Sequence, residues 1–181
     1  MAAARRIPIL ASAAAVLWLA VAGTASAACS GADVPSPSQS ERSVKIAMRC
    51  LVNETRLAYG LRAVRPHAVL ARAGRGHAQD MVDRGYFSHR SPDGLSPIQR
   101  IMGGGYRRDR RGRLTTGEVL AWARDEADTP ATIVNAWMES PSHRRVLLYG
   151  RFRFAGVAVA VGLPRDDGLS DGTTYAMEFG T

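Results

Sequence analysis

Residues 152–161 read FRFAGVAVAV, and this stretch decides the fold. Side chains alternate between the two faces of a strand, and here both faces are apolar apart from Arg153. A strand that hides both faces belongs inside a sheet covered on each side by other layers. The Asp-Asp-Gly and Asp-Gly steps that follow read as a hairpin loop, from which residues 173–179 (TTYAMEF) return as the partner strand. A third strand is expected over 116–123, with Glu118, Leu120 and Trp122 on one face. What covers the sheet is helical. Over 38–59, Val44, Met48, Leu51, Val52, Thr55 and Ala58 recur at helical spacing, and Gly60 suits the left-handed position past the end. A second helix is expected from Pro66 to about Arg84, with Leu70, Ala73, His77 and Met81 on one face and Gly85 as its stop. A third, short, spans 96–102, and a fourth runs from Thr129, an N-cap ahead of Pro130, to Ser140. Three helices, a strand, a helix and a hairpin give an α+β chain: a three-layer α-β-α sandwich around a mainly antiparallel central sheet.

Length and composition place this domain outside the cell. The chain has 181 residues, and its first 27 carry the marks of a leader: Arg5 and Arg6, an apolar run over 7–22, and a small-residue end at Ala25-Ser26-Ala27. Cleavage after Ala27 leaves a secreted chain with no stable membrane insertion; lipidation at Cys29 is the weaker alternative, because no large apolar residue opens the site. The net charge is +8, falling to +6 without Arg5 and Arg6, and nearly every cation is arginine. That balance favours anionic surfaces such as wall polymers or lipid headgroups. Export and the lack of aromatic-basic interleaving or zinc-finger spacing exclude nucleic acid as the natural partner. Residues 107–113 hold five arginines and one aspartate and read as an exposed loop. Cys29 and Cys50 are the only cysteines. In an oxidising compartment they read as one disulfide tying the Pro- and Ser-rich arm over 28–44 to the first helix, two unpaired thiols being the alternative.

The chemistry-bearing residues gather at breaks in this pattern. In Trp137-Met138-Glu139-Ser140-Pro141-Ser142-His143-Arg144, Pro141 ends a helix and sets His143 on a corner one turn from Glu139. His89 sits beside a second Ser-Pro step, where side chains are displayed more often than buried. His77 shares its helix's apolar stripe and reads as a satisfied core histidine, whereas His67 reads as solvated.

Six segments taken in order resemble the bacterial branch of the CAP superfamily, which groups cysteine-rich secretory proteins, antigen-five venom proteins and plant pathogenesis-related proteins. They begin at Cys50, His77, Tyr86, Gly117, Trp137 and Phe154, and the resemblance runs from about residue 45 to the end. It implies the same sandwich over 45–181 and a central cavity of two histidines and two acids. His89 of Phe-Ser-His matches the first histidine and Glu118 of Gly-Glu-Val the first acid. His143 of Ser-Pro-Ser-His-Arg matches the second histidine, and Glu139 falls at the second acid. Val119 stands where the family has asparagine. His89, His143 and Glu118 would suit Zn²⁺ or a similar divalent ion, or the same groups could form a hydrogen-bonded network that only holds the cavity's shape. Ser88, Ser140 and Ser142 are the nearby hydroxyls; Ser-Pro turns account for them without chemistry, and no catalytic residue is assigned. The leading expectation is a secreted binding module for a lipid-like, wall-derived or protein ligand. A metal-dependent hydrolase with Glu118 as base, and a structural or defence protein with a vestigial cavity, are the alternatives. The pattern is silent on oligomeric state.

Overall fold

The computed structural model describes residues 29–107, 112–165 and 171–181. The leader, most of the arginine-rich loop and the tip of the last hairpin lie outside the described residues. The helices are α1 (Glu41–Ala58), α2 (Ala68–Asp83), α3 (Pro97–Gly103), α4 (Pro130–Glu139) and α5 (Pro141–Leu147). The strands are β1 (Arg65–Pro66), β2 (Thr116–Ala123), β3 (Phe154–Val161) and β4 (Thr173–Gly180). They form one sheet in the order β1-β3-β4-β2. The β2–β4 and β3–β4 pairings are antiparallel, and the short β1–β3 pairing is parallel.

The two faces of the sheet bury different helices. Val44, Met48 and Val52 of α1 and Ile133, Val134 and Trp137 of α4 meet Val119, Val157, Tyr175, Met177 and Phe179. On the other face Ala78 and Met81 of α2 pack on Leu120, Ala160 and Ala176, and Leu70 joins Ile101 of α3 and Tyr106. The three layers expected from the two-sided burial of residues 152–161 are therefore present. α2 comes closest to the sheet at Gly156, where an added Cβ would lie 2.0 Å from the backbone nitrogen of Ala71. Any side chain at that point would push helix and strand apart.

Local sequence explains where the elements start. Ser40 accepts a hydrogen bond from Ser43 N–H at 3.1 Å, and Thr129 accepts one from Thr132 N–H at 3.1 Å, so both N-caps are satisfied by a side chain. Gln99 Oε1 accepts from the backbone N–H (2.9 Å) and hydroxyl (2.7 Å) of Ser96, fixing the start of α3. Pro141 ends α4 as expected and at the same time opens α5 at its first position.

Two readings of the sequence need correction. The buried face of α1 turns away from Ala58, which is exposed, and onto Arg56, which is fully buried. The Arg56 guanidinium donates to the carbonyls of Arg62 (3.0 Å), Leu147 and Tyr149 (3.3 Å), so it holds the carbonyls at the C-terminal end of α5. His67 is not solvated: its ring lies edge-on to Tyr106 (4.8 Å) and Phe154 (5.4 Å), and its Nδ1 is buried.

The N-terminal arm is docked at three points. Cys29 and Cys50 form the disulfide, with Cα atoms 5.7 Å apart. Ala131 N–H donates to Ala32 O (2.9 Å), and Ser36 N–H donates to Asp128 O (2.7 Å). The buried Tyr175 hydroxyl bridges Asp128 Oδ1 and Ser36 Oγ, so β4 reaches through the layer to the arm.

Candidate functional site

Glu118 and Glu178 face each other across the ladder between β2 and β4, near the end of the sheet where β2 begins. Alternation turns both toward the α2 face, the side occupied by Leu120 and Ala176. Gly74 of α2 leaves room for Glu178: a Cβ there would stand 3.3 Å from Glu178 Cγ. Glu178 is completely buried, and Glu118 nearly so.

Two cations or potential cations complete the cluster. His89 Nδ1–H donates to Glu118 Oε1 at 2.6 Å. Arg100, on α3, donates through Nη2 to Glu118 Oε2 at 2.6 Å. The other arm of the guanidinium, Nη1, donates to His89 O (3.0 Å) and Leu95 O (2.9 Å), fastening the loop that carries His89 to the carboxylate that His89 contacts. His77 supports the same loop from below, its Nε2–H donating to Ser88 O at 2.9 Å. That makes His77 the satisfied core histidine its place on the stripe suggests. The His89 side chain is 55 % exposed while that of Glu118 is 2 % exposed, so the pair runs from the core to the surface.

The electrostatics divide the two carboxyls. Burial works to raise Glu118, but its bonds to His89 and Glu178 and the charge of Arg100 outweigh burial and hold it below the usual carboxylate range. Glu178 is pushed well above that range by burial first, then by the charge of Glu118. As an ionised group Glu178 would bury two unpartnered oxygens. As a neutral acid it has one O–H to give to Glu118. The pair is therefore one carboxylate and one carboxylic acid.

His143 lies on α5, partly buried, and its pKa is lowered by burial and then by the charge of His89. It feels His89 without bonding to it. Glu139 is exposed at the end of α4, and no hydrogen bond or ion pair joins it to His89, Glu118 or His143. Among the described residues, the only three His, Cys, Asp or Glu side chains with ligand atoms mutually within 4.8 Å are Cys29, Cys50 and Glu54, where the thiols are spent in the disulfide. As arranged, the donor set does not fit a divalent ion held by Glu118. Both its oxygens are engaged, and the fixed guanidinium of Arg100 would oppose a second cation there.

The sequence pattern singled out His89, His143 and Glu139 and the family resemblance added Glu118, but both missed Arg100 and Glu178. Glu178 left a signal: it occupies an inward position in the alternation Thr174, Ala176, Glu178, where a charge demands a partner. Arg100 left none, because one arginine on a short helix looks like any other.

A groove lies over this cluster, along the start of the edge strand β2. One part, of about 530 Å³, is bounded by His89, Glu118, Pro97, Ile98 and Leu114. The next part, of about 430 Å³, is bounded by Ser142, Arg145, Val146, Tyr149 and Phe152. Residues 115–117 line both, so the two parts flank the start of the edge strand. Gly117 faces the second part; an added Cβ would come within 2.8 Å of Phe152 and 2.9 Å of Val146.

The three-layer sandwich is that of a CAP-type domain, the fold the six segments implied. The profile described as CAP: Cysteine-rich secretory protein family matches residues 50–171, and the chain belongs to that family. It is 34 % identical over 107 residues to the Bacillus subtilis (strain 168) protein YkwD, a match covering 59 % of this chain and 38 % of that one. Among solved structures, an extracellular SCP-domain protein of Bacillus anthracis str. Ames aligns with TM-score 0.58 and 24 % identity, over 78 % of this chain and 43 % of that one. An outer surface protein of Borrelia burgdorferi aligns with TM-score 0.63 and 19 % identity, over 79 % of this chain and 96 % of that one. These two are likenesses of fold. The chain spans about two fifths of the length of YkwD and of the Bacillus anthracis protein.

Proposed function

We propose that the protein is a secreted binding module whose ligand lies in the groove over His89 and Glu118. The observation that carries this reading is the lining of the groove. Its walls carry apolar side chains in both parts (Ile98 and Leu114; Val146, Tyr149 and Phe152), with the hydroxyls of Thr115, Thr116 and Ser142 between them, while the ionisable groups are few, namely His89, Glu118 and Arg145. Such a lining suits a ligand with an apolar body and an anionic head, a lipid-like molecule or an amphipathic wall fragment. Arg145 and the exposed imidazole of His89 would meet the head. Arg107, Arg113 and the arginines between them would raise the local concentration of the protein at an anionic surface. No helix among the described residues is long and apolar enough to cross a membrane. The leader pattern in the sequence supports secretion.

Calorimetric titration with laurate, a carboxylate on an apolar chain, tests the reading. Saturable binding is expected, weakened about tenfold or more by Ile98→Asp, which places a charge on the apolar wall, and by Arg145→Glu. Binding indifferent to both substitutions would place the ligand elsewhere. Attachment to phosphatidylglycerol vesicles should fall as salt rises, since exposed charges are screened over about 8 Å at physiological ionic strength.

A further inference from the structure

Two stretches of the chain contain no acid. Residues 55–79 and 140–165 hold five arginines each and not one aspartate or glutamate. The fold lays them side by side. The Arg56 guanidinium joins the carbonyl of Arg62 to those of Leu147 and Tyr149, and Arg65 N–H donates to Arg153 O at 2.9 Å. A Cβ added at Gly150 would lie 3.5 Å from Leu61 Cδ2. The end of the molecule where β3 begins therefore gathers Arg62, Arg65, Arg144, Arg145, Arg151 and Arg153, all exposed except the half-buried Arg144. None of the six pairs with a carboxylate among the described residues. Of the acids that border the two stretches, Glu54 lies beside the disulfide and Glu139 is exposed at the end of α4.

Aromatic and apolar side chains stand among these arginines. Leu57 is 59 % exposed, Tyr59 51 % and Tyr149 36 %. Arg144 lies over the Tyr59 ring, 5.0 Å from its centroid, and donates to the Tyr59 hydroxyl at 2.5 Å. The far end of β3 is different. There Glu41, Asp125, Glu126 and Asp171 lie by Val159 and Val161, and Lys45, Arg75 and Arg124 pair with two of them. One end of the sheet is thus uniformly cationic while the other is mixed in charge.

We propose that the cationic end is the face by which the protein docks on a bilayer rich in anionic phospholipid. The arginines would meet the phosphates, which the planar guanidinium fork suits. Leu57, Tyr59 and Tyr149 would enter the headgroup layer, where tyrosine rings are favoured. A linear polyanion would use the arginines but offers nothing to the apolar side chains. Because the charge is confined to one end, attachment has one orientation, with the mixed end turned to solvent. The proposal rests on the anionic-surface reading and adds the face that makes the contact; the groove need not be filled for it.

The test is flotation of the full disulfide-bonded chain with vesicles of phosphatidylglycerol and phosphatidylcholine in equal parts, against phosphatidylcholine alone, at physiological ionic strength. Attachment is expected to the first and not to the second. The triple variant Arg62→Gln, Arg65→Gln, Arg151→Gln spares Arg145 and Tyr149, which also line the groove. It should bind about a hundredfold more weakly, since each cation near such a surface contributes about fivefold. Its melting temperature and its laurate titration should match the parent's, which separates a failure of this face from a failure of the groove. The variant Arg42→Gln, Arg49→Gln, Arg124→Gln removes the same charge away from this end and should attach nearly as the parent does. A spin-labelled lipid should broaden the amides of residues 59–65 and 149–151 and leave those of 124–127 sharp. Equal loss in the two triple variants would overturn the proposal, by showing that net charge acts without a face. So would attachment to phosphatidylcholine alone, or soluble polyphosphate that binds more tightly than the vesicles do and so gives the arginines to a linear polymer. Attachment unchanged in the first variant but abolished by Arg107→Gln with Arg113→Gln would overturn it as well, by moving the contact to another part of the surface.

Discussion

Arg100 holds more of the site together than its place on a short surface helix suggests. Its guanidinium binds Glu118 and two carbonyls of the His89 loop, and its side chain is 10 % exposed. Removing one partner of a buried pair leaves the other charge uncompensated, which costs about 3 to 5 kcal/mol. Arg100→Met is expected to destabilise by the lower part of that range in urea unfolding, and to broaden the NMR signals of residues 89–95. A loss under about 1 kcal/mol, the value of an exposed pair, would mean solvent screens the contact. Glu178 makes the opposite case. Its folded pKa is raised above the ordinary 4.5, so its contribution is fully present below that value and is lost as pH rises toward the folded value. Glu118 is lowered, so its contribution is present above 4.5 and is lost as pH falls through its folded pKa. Glu178→Gln keeps a donor for Glu118 and has nothing to ionise. Its melting temperature relative to the parent should therefore climb as pH rises above 4.5 and level off once the pH passes the folded pKa of Glu178. A difference already level below neutral pH would show Glu178 ionised at neutral pH.

Among elements, the close approach of α2 to β3 is the feature most sensitive to one atom. The Cβ of Gly156→Ala would fall 2.0 Å from Ala71 N, against backbone that cannot rotate aside as a side chain would. Overpacking commonly costs about 1 to 3 kcal/mol, and a backbone clash belongs at or above the top of that range. Thermal melting should show a lowered midpoint, and hydrogen exchange should locate the loss in α2 first. The control is Gly76→Ala, where an added Cβ meets nothing within 4 Å; there the helix should gain slightly from alanine's propensity. The legibility of the elements follows from the same physics. β3 could be read because burial on both faces writes an apolar run, β4 because it returns from the Asp-Gly loop as the hairpin partner, and α4 because Thr129-Pro130 is a start signal. β1 could not: two residues, Arg65 and Pro66, carry no periodicity, and only the parallel bonds to β3 make them a strand. Arg56 was hidden for a related reason. Its burial depends on carbonyls more than ninety positions away, at Leu147 and Tyr149, which no local pattern around residue 56 records.

Across the whole molecule, the arm and the histidine groove sit at opposite ends of β4 and should respond independently. The arm is held by the Cys29–Cys50 disulfide, which spans 21 residues, and by the Ser36–Tyr175–Asp128 contacts. Asp128 is raised by burial, a cost that its bonds to Tyr175, Thr173 and Ser36 reduce, so a loosened arm would expose a strained acid. Chain entropy assigns a disulfide over a loop of this length about 3 kcal/mol. For a domain of this size that corresponds to a fall of roughly 6 to 12 °C in melting temperature. The double variant Cys29→Ser, Cys50→Ser is expected to show that fall and rapid hydrogen exchange at Ala131 and Ser36, whose amides bond across the arm. The amides around His89 and Glu118 should keep their protection, because every contact that positions them comes from α2, α3, β2 and β4, and none from residues 29–40. Loss of protection at both ends together would show that the sandwich opens as one cooperative unit, with the arm as its clasp.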